Sequence, residues 1–245
     1  MWGTAGWCRS RLRHCTVTRE FQTLYQIEEQ VRDALNRPLP GSDAHLTVAP
    51  RPRRGWHPGH IPPGARTAAA LVLLYPLSDQ PHLLLTVRAD QLTQHAGQVS
   101  LPGGGVEVNE TVQEAALRET EEEVGVDRQQ VRLIGALSPI YIPVSDFALH
   151  PVVGVTDRHP ALQAAAAEVW RVLETPLAEL LDTAGPRRGY RWHEGRLYKV
   201  PYFEVGGERV WGATAMILAE LMTVIGESLE HPWGRPEPDE LKRYD

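Results

Sequence analysis

The sequence predicts a mixed α/β fold that carries a helical extension at its N-terminus. Two short apolar runs, 68–75 and 82–88, are separated by turn-forming residues, which is typical of two neighbouring strands. A glycine-rich turn at 103–105 and a helix over 112–124 follow these strands. Strands next to a glycine turn and a helix indicate a mixed α/β architecture. We therefore expect one main α/β domain.

The overall composition is compatible with such a domain. The 245 residues are 42% hydrophobic and 23% charged, which excludes wholesale disorder and a fibrous protein. A net charge of -6 leaves no overall positive field, so we expect no nucleic-acid partner. The apolar runs are far shorter than the ~20 residues that cross a bilayer, so we expect no membrane partner. Two cysteines, Cys8 and Cys15, are too few for a disulfide framework or a zinc site, which indicates a reducing compartment.

Three segments precede the predicted domain. Residues 1–18 are rich in arginine and lack acidic residues, which resembles a mitochondrial transit peptide. We favour the other interpretation, a disordered extension of a cytoplasmic protein. Over 20–36 the apolar residues recur every three or four positions, which predicts an amphipathic helix that Pro38 ends. Residues 50–63, rich in Pro, Gly, Arg and His, are predicted to be an arm on the surface. The predicted division is 1–18 extension, 19–65 helix and arm, 66–230 main domain and 231–245 tail.

The main domain continues the alternation of strands and helices. Thr111 and Glu114 form a capping-box pattern at the start of the helix over 112–124. Gly125 is placed to close that helix in a left-handed conformation. Further strands are predicted over 131–137 and 149–155, and further helices over 176–181 and 214–225.

Three carboxylates on the central helix predict the chemistry. Glu119, Glu122 and Glu123 are spaced i, i+3 and i+4, so they emerge from one helix face. Like charges at this spacing repel, and a cation between them turns the repulsion into binding. Oxygen ligands select hard divalent ions, which share their coordination with substrate phosphates. The pattern therefore predicts an Mg²⁺ or Mn²⁺ site for phosphate chemistry, whereas a solvated acidic helix face is the alternative.

The residues around the three glutamates form a longer motif. The segment 104–126 matches G-x5-E-x7-R-E-U-x-E-E-x-G-U, where U is apolar. Its positions are Gly104, Glu110, Arg118, Glu119, Glu122, Glu123, Gly125 and Val126. This motif resembles the Nudix box, the signature of the Nudix hydrolases. Thr120 stands where the family prefers an aliphatic residue, so we expect a slightly less well packed helix there.

The resemblance implies a Nudix-type α/β/α sandwich that hydrolyses a nucleoside diphosphate linked to another group. By this likeness Glu119, Glu122 and Glu123 would bind the metal, and the general base would come from the box or from a later glutamate. Glu168 is our candidate for that later carboxylate, and a plain surface glutamate is the other interpretation. The catalytic residues would thus be Glu119, Glu123 and Glu168. The motif's structural residues would be Gly104 for a tight turn, an ion pair of Arg118 with Glu110, Glu107 in the same loop, and Gly125.

A second stretch is similar to the coenzyme A pyrophosphatase branch of this family. Residues 84–104 follow L-L-T-x-R-[SA]-x3-R-x3-G-x3-F-P-G-G, except that Thr93 replaces the second arginine and Leu101 the phenylalanine. Residues 139–147 and 211–215 are also similar to that branch. The resemblance implies hydrolysis of coenzyme A to 3′,5′-ADP and 4′-phosphopantetheine. The implied substrate-binding residues are Arg88, Gly103, Gly104, Tyr141 and Phe147.

Several alternatives stay open at this point. Arg88 could bind a phosphate or form a structural ion pair, and Tyr141 and Phe147 could stack on adenine or simply pack. An arginine near the 3′-phosphate would distinguish coenzyme A from ADP-ribose, but the sequence does not identify it. Because Thr93 departs from the motif, ADP-ribose or NADH is an alternative substrate. A non-catalytic nucleotide-sensing module is a third interpretation, and a homodimer is left open.

Overall fold

The computed structural model describes residues 23–51, 55–89, 97–181, 185–193 and 195–226, together with Leu229 and Pro232. The predicted extension 1–18 lies outside the described residues, as does the predicted tail 231–245 apart from Pro232. The helices are α1 Leu24–Leu35, α2 Ser42–Leu46, α3 Val112–Val124, α4 Leu177–Leu181 and α5 Gly212–Val224, with a 3₁₀ turn at Arg128–Gln130. The strands are β1 Arg66–Leu77, β2 Gln80–Arg88, β3 Val99–Ser100, β4 Gly103–Gly105, β5 Arg132–Ala136, β6 Ile140–Ile142, β7 Phe147–Val155, β8 Val169–Pro176, β9 Tyr190–His193, β10 Arg196–Lys199, β11 Phe203–Val205 and β12 Glu208–Val210.

An eight-stranded mixed sheet forms the centre of the molecule. Its main path runs β3-β2-β1-β7-β5, with β4 paired to β1, β6 to β7 and β8 to β2. Strand β1 is parallel to β7 and antiparallel to β2 and β4. The other strands form two small hairpins, β9-β10 and β11-β12. The predicted mixed α/β class is therefore confirmed.

Helices cover both faces of the sheet. Alternate residues of β1 point to opposite faces: Leu71 and Leu73 pack with α3 residues, whereas Val72 and Leu74 pack with α5 residues. Because both faces are covered, β1 is buried continuously over 68–75, which explains its apolar sequence. Within the described ranges, no helix is long and apolar enough to span a membrane.

The three glycines at 103–105 are a strand, so the predicted glycine-rich turn is wrong. They form β4, which pairs antiparallel with residues 68–70 of β1. A Cβ atom at Gly103 would lie 2.2 Å from the carbonyl oxygen of Ala69. Glycine is required at this position because the two backbones approach closely, and the approach fixes the start of the motif against the central strand.

The predicted surface arm is also partly wrong. Trp56 lies within the 50–63 segment and is 2% exposed. It belongs to the same buried cluster as Ile27 and Val31 of α1 and the apolar face of α5. The cause is the large apolar area of the indole, whose burial outweighs the extended, proline-rich character of its neighbours.

Helix α3 has the ends that its sequence predicts. The Thr111 hydroxyl accepts a hydrogen bond from the Glu114 backbone N–H, and the Glu114 carboxylate accepts one from the Thr111 backbone N–H. Gly125 closes the helix with a φ of 74°. Thr120 is 1% exposed, and its hydroxyl donates to the Ala116 carbonyl oxygen at 2.7 Å. Thr120 is thus buried with its hydroxyl satisfied within the helix, and the looser packing expected there stays a prediction.

Candidate active site

The site is built where α3 crosses the edge strand β4. Glu119 points from α3 onto Gly104, and a Cβ atom at position 104 would lie 2.4 Å from the Glu119 carboxyl carbon. Gly104 thus makes room for a carboxylate, whereas the sequence predicted a role in a tight turn. Burial raises the pKa of Glu119, and a hydrogen bond from Arg118 opposes this rise.

Glu123 lies one helical turn further and is 4% exposed. Its carboxylate accepts a hydrogen bond of 3.3 Å from the Gly103 backbone N–H. Burial raises the pKa of Glu123 to about 7, although the nearby charge of Arg88 and the Gly103 N–H lower it in part. A carboxylate in this position is therefore held where its charge is unfavourable unless a cation accompanies it.

Glu168 belongs to the same group of carboxylates. Its negative charge raises the pKa of both Glu119 and Glu123, so the three side chains lie close enough to repel one another. The Glu168 carbonyl oxygen accepts a hydrogen bond of 2.9 Å from the Ala89 backbone N–H, which fixes this segment beside the end of β2. Glu122 has a side chain that is 58% exposed, and Glu168 is exposed as well.

Arg118 organises the loop between β4 and α3. Its guanidinium donates two hydrogen bonds to Glu110, at 2.8 and 3.0 Å, and one to the Gly105 carbonyl oxygen. A further nitrogen donates to Glu119 at 2.8 Å and to Glu122 at 3.2 Å. The hydrogen bonds from Arg118, with one from the Glu107 backbone N–H, lower the pKa of Glu110 to about 2. The loop is thus held by a bidentate ion pair, to which Glu107 contributes its backbone.

Arg88 ends β2 beside the buried carboxylates. It lies at an irregularity in the pairing with β8, between Val87 and Arg88. Its Nε atom is buried without a hydrogen-bond partner, and the structure gives its guanidinium no ion pair with the described residues. An unpaired buried donor costs about 1–3 kcal/mol. Arg88 is therefore a cationic group next to Glu123 that has no carboxylate ion-pair partner among the described residues.

Comparison with known proteins identifies the family. A model of the NUDIX domain matches residues 65–192, a little over half of the chain. The chain belongs to the Nudix family. Proteins named "Uncharacterized Nudix hydrolase NudL" from Salmonella paratyphi B and Salmonella newport are each 39% identical to it over 159 residues, which is 64% of this chain and 82% of theirs.

Two solved structures are also similar to this Nudix protein. The Nudix hydrolase RenU from M. smegmatis matches with a TM-score of 0.42 and 21% identity, covering 48% of this chain and 74% of that one. A MutT/nudix family protein from Enterococcus faecalis matches with a TM-score of 0.42 and 21% identity, covering 73% and 66%. Nudix hydrolases act on small nucleotide derivatives and generally use divalent metal ions.

The donor set of the Nudix site suits such an ion. Its buried members are carboxylate oxygens, which hard divalent cations prefer, and their mutual repulsion is relieved by a cation. Among the described residues, no three His, Cys, Asp or Glu side chains converge closely enough to form a ready-made metal site. Arg118 bridges two members of the predicted trio, Glu119 and Glu122, and the trio as the set of metal ligands stays a prediction. The electrostatics place Glu119 close to Glu122 and Glu168, and Glu123 close to Glu119 and Glu168.

The two predicted aromatic residues, Tyr141 and Phe147, lie on β6 and β7, on the other side of β1 from β4. The Tyr141 hydroxyl donates a hydrogen bond of 3.0 Å to Asp146. The guanidinium of Arg66 lies 4.0 Å from the centroid of the Phe147 ring. One face of Phe147 is therefore covered by Arg66, and adenine could stack on that face only if Arg66 moved. No motif in the sequence marks Arg66, which lies two residues before the predicted strand 68–75.

Proposed function

We propose that this Nudix protein hydrolyses the diphosphate bond of coenzyme A or acyl-CoA, giving 3′,5′-ADP and 4′-phosphopantetheine. The observation that carries the proposal is the Arg88 guanidinium, whose Nε atom is buried without a hydrogen-bond partner, beside the buried carboxylate of Glu123. A site that combines clustered carboxylates with a nearby guanidinium group suits a diphosphate that binds together with a divalent metal ion. The likeness of residues 84–104 to the coenzyme A pyrophosphatase motif supports this substrate.

Each residue of the site has a role in this reaction. Glu119 and Glu123, with Glu122 at the rim, would hold the divalent ion, and Arg88 would bind an oxygen of the diphosphate. The bound ion supplies charge neutralisation and a water of lowered pKa. Glu168 is exposed, and the structure gives its carboxylate no hydrogen bond to the described residues, so it would act as the general base. Arg118 and Glu110 hold the loop, Gly103 lets β4 pack against β1, and Gly104 leaves room for the Glu119 carboxylate.

A substrate panel tests the proposal. The full chain is incubated with Mg²⁺ or Mn²⁺ and with coenzyme A, acetyl-CoA, ADP-ribose or NADH, and the products are separated by chromatography. We expect 3′,5′-ADP to form from coenzyme A or acetyl-CoA with the highest kcat/KM in the panel. Preferential cleavage of ADP-ribose or NADH would contradict the substrate assignment.

The substitution at Thr93 favours ADP-ribose or NADH as the second candidate substrate. The coenzyme A motif has an arginine at this position, and threonine lacks the bidentate phosphate donor that arginine provides. A non-catalytic nucleotide-sensing module is a third candidate, against which the complete set of box glutamates counts. Absence of turnover of every substrate in the panel would favour that module.

A further inference from the structure

Arg66 lies at the N-terminal end of β1, and its guanidinium uses only part of its N–H groups in hydrogen bonds to the described residues. It is the first residue of β1 and stands opposite Phe147 of β7 in the parallel register. Its guanidinium stacks on the Phe147 ring and donates one hydrogen bond, of 2.8 Å, to the Ser145 carbonyl oxygen. The structure gives it no acidic partner among the described residues, and the side chain is exposed. Stacking on Phe147 fixes the plane of the guanidinium and leaves most of its N–H groups available to an acceptor.

Arg66 and the buried carboxylates lie on opposite faces of the sheet at the same end. Alternation along β1 places Arg66 on the α5 face, whereas Ala69 packs with residues of α3. The narrow strand β4 separates the two places. Gly104 of β4 faces Glu119, and a Cβ atom on the next residue, Gly105, would lie 4.0 Å from the Phe147 ring. A ligand that crosses the edge of β4 therefore meets both positions.

Two other arginines at this end of the sheet, Arg118 and Arg88, are already assigned. Arg118 uses its N–H groups on Glu110, Glu119, Glu122 and the Gly105 carbonyl oxygen. Arg88 lies next to Glu123, where the diphosphate is proposed to bind. The guanidinium groups of Arg88 and Arg66 thus lie on two sides of β4. This arrangement suits a ligand with two separate anionic groups, a diphosphate and a phosphate monoester.

We propose that Arg66, held on Phe147, forms a second phosphate subsite that binds the 3′-phosphate of the substrate. The inference rests on the proposed function, since a nucleoside diphosphate without a 3′-phosphate does not use this subsite. It makes Arg66 a specificity-determining residue, and it gives Phe147 the role of orienting the guanidinium. A guanidinium fork binds a phosphate in a bidentate manner, which a lone charge does not reproduce.

The test compares coenzyme A with 3′-dephospho-coenzyme A in the Arg66→Gln variant. We expect kcat/KM for coenzyme A to fall by about tenfold or more, mainly through KM, because a charge-assisted contact is lost. The kcat/KM of the variant for 3′-dephospho-coenzyme A should stay within about twofold of the parent value, because that substrate has no 3′-phosphate to bind Arg66. Arg66→Lys should recover only part of the loss. An equal fall for both substrates, or no fall for either, would overturn the subsite.

Arg132→Gln is the matched control. Arg132 is also an exposed arginine, but it pairs with Val155, eight residues along β7 from Phe147. In the Arg132→Gln variant, the ratio of kcat/KM for coenzyme A to kcat/KM for 3′-dephospho-coenzyme A should equal the ratio in the parent protein.

Equilibrium binding separates this inference from the proposed function. Calorimetry measures the affinity of parent and Arg66→Gln for 3′,5′-ADP and for 5′-AMP, without any turnover. We expect the parent to bind 3′,5′-ADP about tenfold more tightly than 5′-AMP, and the variant to lose this difference. If coenzyme A is not hydrolysed but the difference is present, the proposed function fails and the subsite stands. If the parent binds the two nucleotides equally, the subsite fails whatever the substrate panel gives.

Discussion

Glu123 is a carboxylate whose charge the surrounding protein disfavours. It is buried, and both Glu119 and Glu168 repel its negative charge. Only Arg88 and the Gly103 backbone N–H oppose these effects. A buried carboxylate of this kind weakens the protein when no cation is bound, so its role is in binding and chemistry.

Substitution of this residue should separate activity from stability. We expect Glu123→Gln, and likewise Glu119→Gln, to lower kcat by about 100-fold or more, because a metal ligand is lost. The melting temperature in EDTA should stay the same or rise, because repulsion is relieved. Steady-state kinetics and thermal denaturation measure the two effects.

Glu121→Gln is the control on the same helix. Glu121 is paired with Arg128 near the C-terminal end of α3, away from the carboxylate group. Its substitution should leave kcat within about twofold. Parent-like activity in both Glu119→Gln and Glu123→Gln would argue against their role as metal ligands.

At the scale of elements, Glu220 ties three parts of the chain together. This α5 residue is fully buried, and its carboxylate lies 2.9 Å from the His45 ring of α2. It also accepts hydrogen bonds from the Ser138 hydroxyl and backbone N–H and from the Gly41 backbone N–H. Burial alone would raise the pKa of Glu220, but the bonds from His45 and Ser138 outweigh burial, so the pKa is lowered. The segment before β6 is thereby fixed to α2 and α5.

Loss of this carboxylate should destabilise the fold in a pH-dependent way. The folded pKa of Glu220 lies below the ordinary value of 4.5, so its stabilisation is complete above pH 4.5 and is lost as pH falls through the folded pKa. We expect Glu220→Gln to lower the free energy of unfolding by about 2–4 kcal/mol at pH 7. The difference between variant and parent should shrink below pH 4.5. Urea unfolding at pH 7 and at pH 4 measures it.

An exposed glutamate provides the comparison for Glu220. Glu29 of α1 is exposed and accepts one hydrogen bond from Tyr25. Glu29→Gln should change stability by less than about 0.5 kcal/mol at both pH values. A Glu220→Gln variant that behaves like Glu29→Gln would show that the buried carboxylate contributes nothing.

Local signals predicted some elements and missed others. The capping box and closing glycine of α3 were predicted correctly because each involves residues within a few positions of one another. Strands β6, β8 and the two hairpins were not predicted. Strand β8 is buried on alternate residues and ends at Pro176, and its partner β2 lies about 90 residues earlier. Such pairing depends on burial against distant residues, which spacing along the chain does not reveal.

The whole molecule has a core that includes its N-terminal part. The sequence predicts a main domain that begins at residue 66, whereas in the structure Ile27, Val31 and Trp56 pack in one cluster with α5 and β1. The side chain of Ile27 is completely buried. Helix α1 and Trp56 therefore contribute to the stability of the sheet on which the site is built.

Truncation of a core residue in α1 tests this arrangement. We expect Ile27→Ala to lower the free energy of unfolding by about 2–4 kcal/mol, because it leaves a cavity under the sheet. Tyr25→Ala on the same helix is the control, since Tyr25 is 67% exposed and should cost far less. Guanidinium unfolding of the full chain measures both variants. A single transition shared by α1 and the sheet is expected, whereas an unchanged midpoint in Ile27→Ala would contradict a common core.

The sequence by itself determined the family, the mixed α/β class and helix α3 with its three glutamates, because these depend on residues close together in the chain. Only the tertiary structure decided which groups meet at the site. It placed Glu168 close to Glu119 and Glu123, left Glu122 exposed, and put Arg88, whose Nε atom is buried without a hydrogen-bond partner, beside Glu123. It also stacked Arg66 on Phe147 from a strand 81 residues away. These contacts follow from the pairing of β1 with β4 and β7 and from burial between layers, which are non-local and leave no fixed spacing in the sequence.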